Sequence, residues 1–124
     1  MILLAAFLLL AADPVEQRYS PAYQRCLDAP AGQTTAGMVQ CISAEIQVQD
    51  AALNRAYQKT MAGLNGQQRT NLQKAQRAWI AFREADCGAV YDPDAWGSIS
   101  RINSGTCVLR MTVERTIYLE GFPP

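Results

Sequence analysis

The sequence predicts a small all-α domain, arranged as an antiparallel three-helix bundle with an irregular N-terminal arm and two disulfides. Apolar residues recur at steps of three and four in three stretches after residue 34, which is the period of an amphipathic helix. The short Asn65-Gly66 turn joins the first two stretches, so we expect them to form a hairpin. At 124 residues the chain has the length of one domain with one core.

The first twelve residues, MILLAAFLLLAA, predict a secretory signal peptide over residues 1–12. This uncharged apolar run ends in small residues just before Asp13 and Pro14, as the apolar region of such a signal does. A membrane-spanning helix needs about 20 apolar residues, so the run is too short to span. We expect cleavage near Ala12, a periplasmic or secreted protein and no stable membrane anchor after cleavage. The alternative is that the run forms a buried apolar helix.

Residues 13–34 contain three prolines and no sustained periodicity, which predicts an irregular arm. A helical domain is predicted over residues 35–121, and Thr35 is a favourable N-cap for its first helix. We expect this helix to end at Leu64-Asn65-Gly66, because Asn and Gly adopt the left-handed cap conformation most readily. Its apolar positions are Met38, Val39, Ile42, Ile46, Leu53, Tyr57 and Leu64.

The second predicted helix runs from Gln67 to Cys87. In a hairpin, residues equally distant from the turn come level with each other, so Asp50 is expected near Arg83 and Leu53 near Trp79. The first of these pairs predicts an ion pair between the two helices. The apolar stripe of the second helix consists of Leu72, Ala75, Trp79 and Phe82.

Residues 88–103 predict a long loop, with turn-forming residues at Asp92-Pro93-Asp94 and Trp96-Gly97-Ser98. A third helix is predicted from Ser104 to Leu119, before Gly121 and the two final prolines end it.

Four cysteines in a small chain that is predicted to be exported favour disulfides. Three pairings are possible, and the economical one joins neighbours in the sequence, Cys26 with Cys41 and Cys87 with Cys107. The sequence has no C-x-x-C and no histidine, which disfavours a thioredoxin-like site and the usual mixed zinc sites. We therefore predict no metal and no cofactor.

Charge is balanced, with 11 basic and 11 acidic residues. No overall field draws the protein to nucleic acid, so we predict no nucleic-acid partner. The oligomeric state is not determined by the sequence, although a monomeric or weakly self-associating domain is expected.

An ordered set of residues in the helical domain resembles a known family. Its most specific portion is the run Ala75-Gln76-x-x-Trp79-x-x-Phe82-Arg83-x-x-x-Cys87. The remaining members of the set are Cys41, Asp50, Leu53, Asn54, Tyr57, Leu72, Cys107, Thr112, Arg115 and Leu119. In this pattern the chain resembles the LprI-type lysozyme inhibitor domain family over residues 22–119.

The resemblance implies an exported, disulfide-linked helical domain with a protein partner, for which lysozyme is the specific candidate. The chain departs from the family's founding pattern at two points. It has no lipid-attachment cysteine after the apolar run, and Ala95-Trp96 stands where a glycine-rich start of the loop would be usual. The first departure concerns membrane anchoring, and the second concerns any loop mechanism that this chain would share with the family.

Four polar residues of the pattern, Asp50, Gln76, Arg83 and Arg115, are predicted to form a structural polar seam. They lie beside apolar stripes, where polar groups generally satisfy one another. A carboxylate and an arginine lack the nucleophile, metal ligand or histidine on which hydrolysis usually depends. The protein is therefore predicted not to be an enzyme. Asp92 and Asp94 are interpreted as turn formers, because one short acidic turn suits neither acid–base catalysis nor calcium binding.

The long loop supplies the predicted partner-binding residues. Tyr91 and Trp96 are candidate aromatic anchors, and Arg101 is a candidate donor to a carboxylate of the partner. Asp92 and Asp94 favour approach to a basic surface. Two alternatives stand beside this hypothesis: Trp96 folds back over the end of the bundle, or the domain has a structural or accessory role in the cell envelope without inhibiting anything.

Overall fold

A computed structural model describes residues 11–123, so most of the predicted signal peptide lies outside the described residues. No strand occurs among them, and the predicted all-α class is confirmed. Two 3-10 turns span Glu16–Arg18 and Pro30–Gln33. The α-helices are α1 (Pro21–Asp28), α2 (Thr35–Ala62), α3 (Gly66–Ala89), α4 (Pro93–Trp96) and α5 (Ile99–Glu120).

The predicted irregular arm is wrong for its central part, which contains helix α1 and both 3-10 turns. The Ser20 hydroxyl caps α1 by accepting a hydrogen bond from the Tyr23 N–H. Pro21 and Pro30 occupy the first turns of their helices, where proline is tolerated because the N–H that it lacks would have no helical partner. These prolines therefore begin short helices.

The connection between α2 and α3 differs from the predicted left-handed cap. Asn65 has a φ of −76° and is the N-cap of α3, where its side chain accepts from the Gln68 N–H while the Gln68 side chain accepts from the Asn65 N–H. This reciprocal pair is a capping box. Asn65 thus begins the second long helix, and α2 ends earlier than predicted, with Gly63 as its C-cap.

Helices α2 and α5 form the most extensive contact between elements, and α3 packs mainly on α5. Gly105 of α5 faces Ile42 of α2 so closely that an added Cβ atom would lie 2.9 Å from the Ile42 Cγ2 atom. A core cluster of Leu53, Leu72 and Leu119 draws one residue from each long helix, and Trp79 packs against it. The predicted count of three helices is too low, because α1 and α4 add to the three long ones.

The two disulfides are Cys26–Cys41 and Cys87–Cys107, which confirms the pairing of neighbours. Their Cα atoms lie 5.7 and 5.5 Å apart, within the usual range for a disulfide. The first disulfide ties α1 to α2, and the second ties the end of α3 to α5. Every cysteine of the sequence is therefore bonded.

The N-terminal segment, which we define as residues 13–20, is fastened to α2 by a buried carboxylate. Glu45 is only 2% exposed, and it accepts hydrogen bonds from the Ser20 N–H at 2.8 Å and from the Ser20 hydroxyl at 2.5 Å. The Gln49 amide donates both to Glu45 and to the Arg18 carbonyl, each at 2.8 Å. Glu45 thus orders the segment that leads into α1.

Two ion pairs fasten the same segment to α5. The Arg18 guanidinium donates to both carboxylate oxygens of Glu120, at 2.9 and 2.6 Å. Asp13 pairs with Arg110 at 3.0 Å. These pairs are partly solvent-exposed, so each adds little stability by itself and serves to position the segment.

The attachment of the N-terminal segment to α5 is expected to weaken in acid. The Arg18 guanidinium lowers the pKa of Glu120, and the backbone N–H of Val15, followed by Arg110, lowers the pKa of Asp13. A carboxyl whose pKa is lower in the folded state stabilises the fold above its unfolded-state pKa, and this contribution disappears as the pH falls through the folded-state pKa. We expect amide exchange in residues 13–20, corrected for intrinsic rates, to accelerate below about pH 4. Equal protection above and below that pH would contradict this account.

Within residues 11–123, no helix combines the length and the apolar character needed to cross a bilayer.

Candidate functional site

The predicted loop over residues 88–103 is much shorter in the structure. Helix α3 continues to Ala89 and α5 begins at Ile99, which leaves residues 90–98 between them. We call these residues the α3–α5 connection, and α4 occupies four of them. The prediction was wrong at both ends because glycine at position 88 is accommodated inside the last turn of α3, and because the small polar Ser100 is a fully buried helical residue.

The α3–α5 connection is held in place by contacts at its base and within it. The Cys87–Cys107 disulfide joins the two helices just below it, and the Ser100 hydroxyl accepts from the Asp92 N–H at 2.5 Å. The Asp92 carboxylate caps α4 by accepting from the Ala95 N–H at 2.9 Å. Gly97 has a φ of 63°, a conformation that favours glycine, and it reverses the chain into α5.

Three large side chains are exposed on or beside the connection. Tyr91 and Trp96 are each 50% exposed, and Ile99 is 53% exposed. About half of the Trp96 surface is therefore covered by the protein, and the other half is open to solvent. Aromatic side chains such as tryptophan and tyrosine are enriched among the residues that contribute most to the binding energy of protein interfaces.

The predicted binding residues separate onto two sides of α5. Trp96 lines a cleft of about 770 Å³ between α5 and the N-terminal part of the chain. We call it the N-terminal cleft, and its lining comprises Glu16, Tyr19, Tyr23, Val90, Trp96, Ile99, Asn103, Thr106, Cys107, Leu109 and Arg110. Tyr91 and Arg101 line a smaller cleft of about 250 Å³ against α2, while Asp92 and Asp94 line neither of these two. Arg101 belongs to α5, not to a loop.

The far wall of the N-terminal cleft consists of Tyr19 and Tyr23. Their rings meet edge to face with centroids 5.4 Å apart. Partial burial raises the pKa of both phenols, so each hydroxyl remains a protonated donor at neutral pH. These tyrosines were not predicted, since they fall in the segment interpreted as irregular; the Ser20-Pro21 start signal was the available clue that the segment has a fixed structure.

The ion pair predicted between Asp50 and Arg83 is present, with the Arg83 Nη1 atom 3.3 Å from the Asp50 Oδ1 atom. The same nitrogen donates to the buried Thr112 hydroxyl at 3.0 Å, and the opposite side of the guanidinium meets Glu84 at 2.9 Å. Arg83 therefore links all three long helices.

Arg115 and Gln76 form the second polar contact, in which the Arg115 Nε–H donates to the Gln76 carbonyl oxygen at 2.8 Å. The Arg115 guanidinium lies over the rings of Tyr118 and Trp79, at 4.8 and 5.7 Å from the ring centroids, and Arg83 lies 5.1 Å from the same indole. Burial lowers the pKa of Arg115, which remains charged at neutral pH. The two arginines of the pattern thus both lie against the Trp79 ring.

These features define the class of small, disulfide-bonded all-α domains with exposed aromatic side chains beside open clefts. Within residues 11–123, no cluster of histidine, cysteine, aspartate or glutamate side chains is arranged to hold a metal ion. The chain belongs to the LprI lysozyme inhibitor family, whose model, described as "Lysozyme inhibitor LprI", matches residues 26–119. That description names an inhibitor of lysozyme.

A crystal structure of an uncharacterised protein from Burkholderia thailandensis is similar to this chain. The two share 26% sequence identity and superpose with a TM-score of 0.67. The match covers 90% of this chain and 53% of that protein, so this chain spans about half of its length. No curated protein matches the chain.

Proposed function

We propose that the protein is an exported protein-binding domain that inhibits lysozyme or a related peptidoglycan-cleaving enzyme by occluding the enzyme's cleft. The observation that supports this most directly is the α3–α5 connection, which presents Trp96 and Tyr91 half-exposed above a disulfide-clamped base. A rigid base lowers the entropy lost on binding, because the anchors are ordered before the partner arrives. Membership of an inhibitor family supports a protein partner.

The proposed mechanism uses the chemistry of the target's cleft. Lysozyme cleaves its substrate with two carboxyl groups that need access to the glycosidic bond. An aromatic side chain inserted between the cleft walls excludes that substrate, and Arg101, beside Tyr91, is the proposed donor to a cleft carboxylate. Asp92 and Asp94 supply negative charge at the start of α4, which favours approach to a basic enzyme surface.

The remaining parts of the chain are assigned supporting roles in this proposal. Helices α2, α3 and α5 act as an antiparallel three-helix scaffold. The seam of Asp50, Gln76, Arg83 and Arg115 fixes the register of that scaffold and has no catalytic role. Residues 1–12 direct export and are removed near Ala12, which leaves a periplasmic or secreted protein; two disulfides and the family support export.

The proposal is tested by lysis of bacterial cells with a c-type lysozyme in the presence of the oxidised protein. We expect the lysis rate to fall as the protein is added, and a complex of the two proteins to elute together on a sizing column. Unchanged lysis at a large molar excess, with no complex on the column, would exclude that lysozyme as the target.

A second candidate function is an accessory interaction domain of the cell envelope, and one observation favours it. Phe82 is 59% exposed on α3, the highest exposure among the large apolar side chains of residues 11–123. A partner that covers α3 would contact a helical surface instead of the connection. This function predicts that lysozyme is unaffected and that a captured envelope protein is lost from the Phe82→Ala variant.

A further inference from the structure

We propose that the N-terminal cleft binds an extended peptide segment of the partner that carries apolar side chains flanked by lysine or arginine. The inference rests on the proposed function for the nature of the partner, and it names the part of the partner that the domain recognises. It also adds a second element, residues 16–23, to the surface formed by the α3–α5 connection.

The shape and lining of the cleft suit apolar side chains. Tyr19 and Tyr23 form one wall, and Trp96 and Ile99 stand opposite, with buried Leu109 also in the lining. A volume of about 770 Å³ lies within the usual range of ligand sites and accommodates more than one side chain. A single small side chain would leave most of these apolar walls in contact with water.

The polar groups of the lining suit the backbone of an extended peptide. Asn103 and Thr106 of α5 line the cleft together with Tyr19 and Tyr23, each of which carries a hydroxyl. The amide of Asn103 offers both a donor and an acceptor, and each phenol offers a donor that its raised pKa keeps protonated. Peptide N–H and C=O groups require partners of both kinds.

The charged residues around the cleft favour a peptide that carries a basic residue next to its apolar one. Arg110 is the basic residue of the lining, and it is already paired with Asp13 and with Glu114, each at 3.0 Å. Glu16 adds an exposed carboxylate to the lining. Counted with Asp13 and Glu114, which pair with Arg110 but do not line the cleft themselves, the charged group contains three carboxylates and one guanidinium. A lysine or arginine next to the inserted apolar residue would meet this excess of negative charge, whereas an acidic segment would be repelled.

The fastening of the N-terminal segment makes this wall rigid before any partner binds. Residues 13–20 are held in place by Glu45, by Gln49 and by the ion pairs of Arg18 and Asp13. This segment contains Tyr19 and leads directly into α1, which carries Tyr23. A pre-ordered wall reduces the entropy cost of binding a flexible peptide.

The test is a titration of the oxidised, nitrogen-15-labelled protein with three blocked hexapeptides followed by NMR. The first is Gly-Arg-Leu-Phe-Lys-Gly, the second has glutamate in place of arginine and lysine, and the third has serine in place of leucine and phenylalanine. The Trp96 indole signal, assigned from its loss in the Trp96→Phe variant, reports the cleft. We expect millimolar concentrations of the first peptide to shift this signal and the amides of Asn103 and Thr106, and the other two peptides to bind at least ten-fold more weakly. Equal binding of the charge-reversed peptide, or no shift with any peptide, would overturn the proposal.

Variants supply the matched controls. Glu16→Lys changes an exposed side chain of the cleft, so the fold should be kept. We expect this variant to bind the cationic peptide more weakly and the acidic peptide more tightly. Asp28→Lys makes the same charge change away from the cleft and should alter the affinity for neither peptide. Tyr23→Ala should lower the affinity for the cationic peptide about ten-fold. An unchanged affinity in Glu16→Lys would overturn the proposed charge selection.

Different experimental outcomes would contradict the proposed function and the proposed role of the cleft. If lysozyme is inhibited equally by the native protein and by Tyr23→Ala, the enzyme does not use this cleft and the present inference is wrong, while the proposed function stands. If lysozyme is unaffected but the cationic peptide binds at Trp96, the cleft assignment stands and lysozyme is excluded as the partner.

Discussion

Replacing Cys87 and Cys107 together by alanine is expected to lower the free energy of unfolding by about 3 kcal/mol. The disulfide closes a chain segment of 20 residues and so restricts the unfolded chain, which is the main source of its stabilisation. Cys87 is also 1% exposed, so the smaller alanine side chain leaves a gap in a buried position. Urea unfolding followed by circular dichroism measures the change.

The Cys26→Ala/Cys41→Ala double variant is the matched control, because it removes a disulfide of similar span that joins α1 to α2 and lies outside the α3–α5 connection. Both double variants should lose stability, but the loss of Cys87 and Cys107 should change the NMR signal of the Trp96 indole more, because Trp96 lies on the connection that this disulfide closes. Native-like stability without the Cys87–Cys107 disulfide, or an unaltered Trp96 signal, would show that the disulfide does not organise this region.

Replacing Glu45 by alanine is expected to cost about 3 kcal/mol, since a hydrogen bond to a charged group contributes roughly 1.5–3 kcal/mol and the abandoned donors stay partly buried. The Ser20 N–H, the Ser20 hydroxyl and the Gln49 amide all lose their acceptor. Some of this cost is offset because a buried carboxylate no longer has to be desolvated. We therefore expect both a lower unfolding free energy and faster amide exchange in residues 13–20.

The Glu45→Gln variant separates hydrogen bonding from charge. Glutamine retains an acceptor for the Ser20 N–H and can donate to the Ser20 hydroxyl, so its cost should be less than half that of alanine. Equal losses in the two variants would mean that the negative charge, and not the hydrogen-bond geometry, holds the segment. A negligible loss in the alanine variant would contradict the assigned role of Glu45.

Several parts of the fold were predictable because local signals and packing agree there. The period of the apolar residues identified the three long helices, although Ala75 and Phe82 of the stripe predicted for the second helix are exposed. The hairpin geometry placed Asp50 next to Arg83, where the ion pair is found. Cysteine neighbours in sequence proved to be disulfide partners. In each case the residues that form the feature are close in sequence or related by a single short turn.

The site was less predictable, because its geometry depends on long-range contacts. The order of residues 13–20 comes from Glu45, whose place in a helix gives no indication that its carboxylate will meet Ser20. The sequence around Ser100 predicts a polar loop, yet Ser100 is fully buried and its hydroxyl accepts a hydrogen bond from the Asp92 N–H. The tyrosines of the N-terminal cleft therefore escaped prediction, and Tyr91 and Trp96 were not expected to lie on different sides of α5.

The measurement that tests the central proposal most directly is the lysozyme lysis titration repeated with the Trp96→Ala and Phe82→Ala variants. Both remove a half-exposed aromatic side chain, but only Trp96 lies on the α3–α5 connection. Loss of an aromatic anchor typically weakens binding by 2 kcal/mol or more, roughly thirty-fold. We expect Trp96→Ala to need about thirty-fold more protein for half-inhibition, and Phe82→Ala to inhibit like the native protein. Inhibition that survives Trp96→Ala and is lost in Phe82→Ala would contradict the proposal and place the contact on α3.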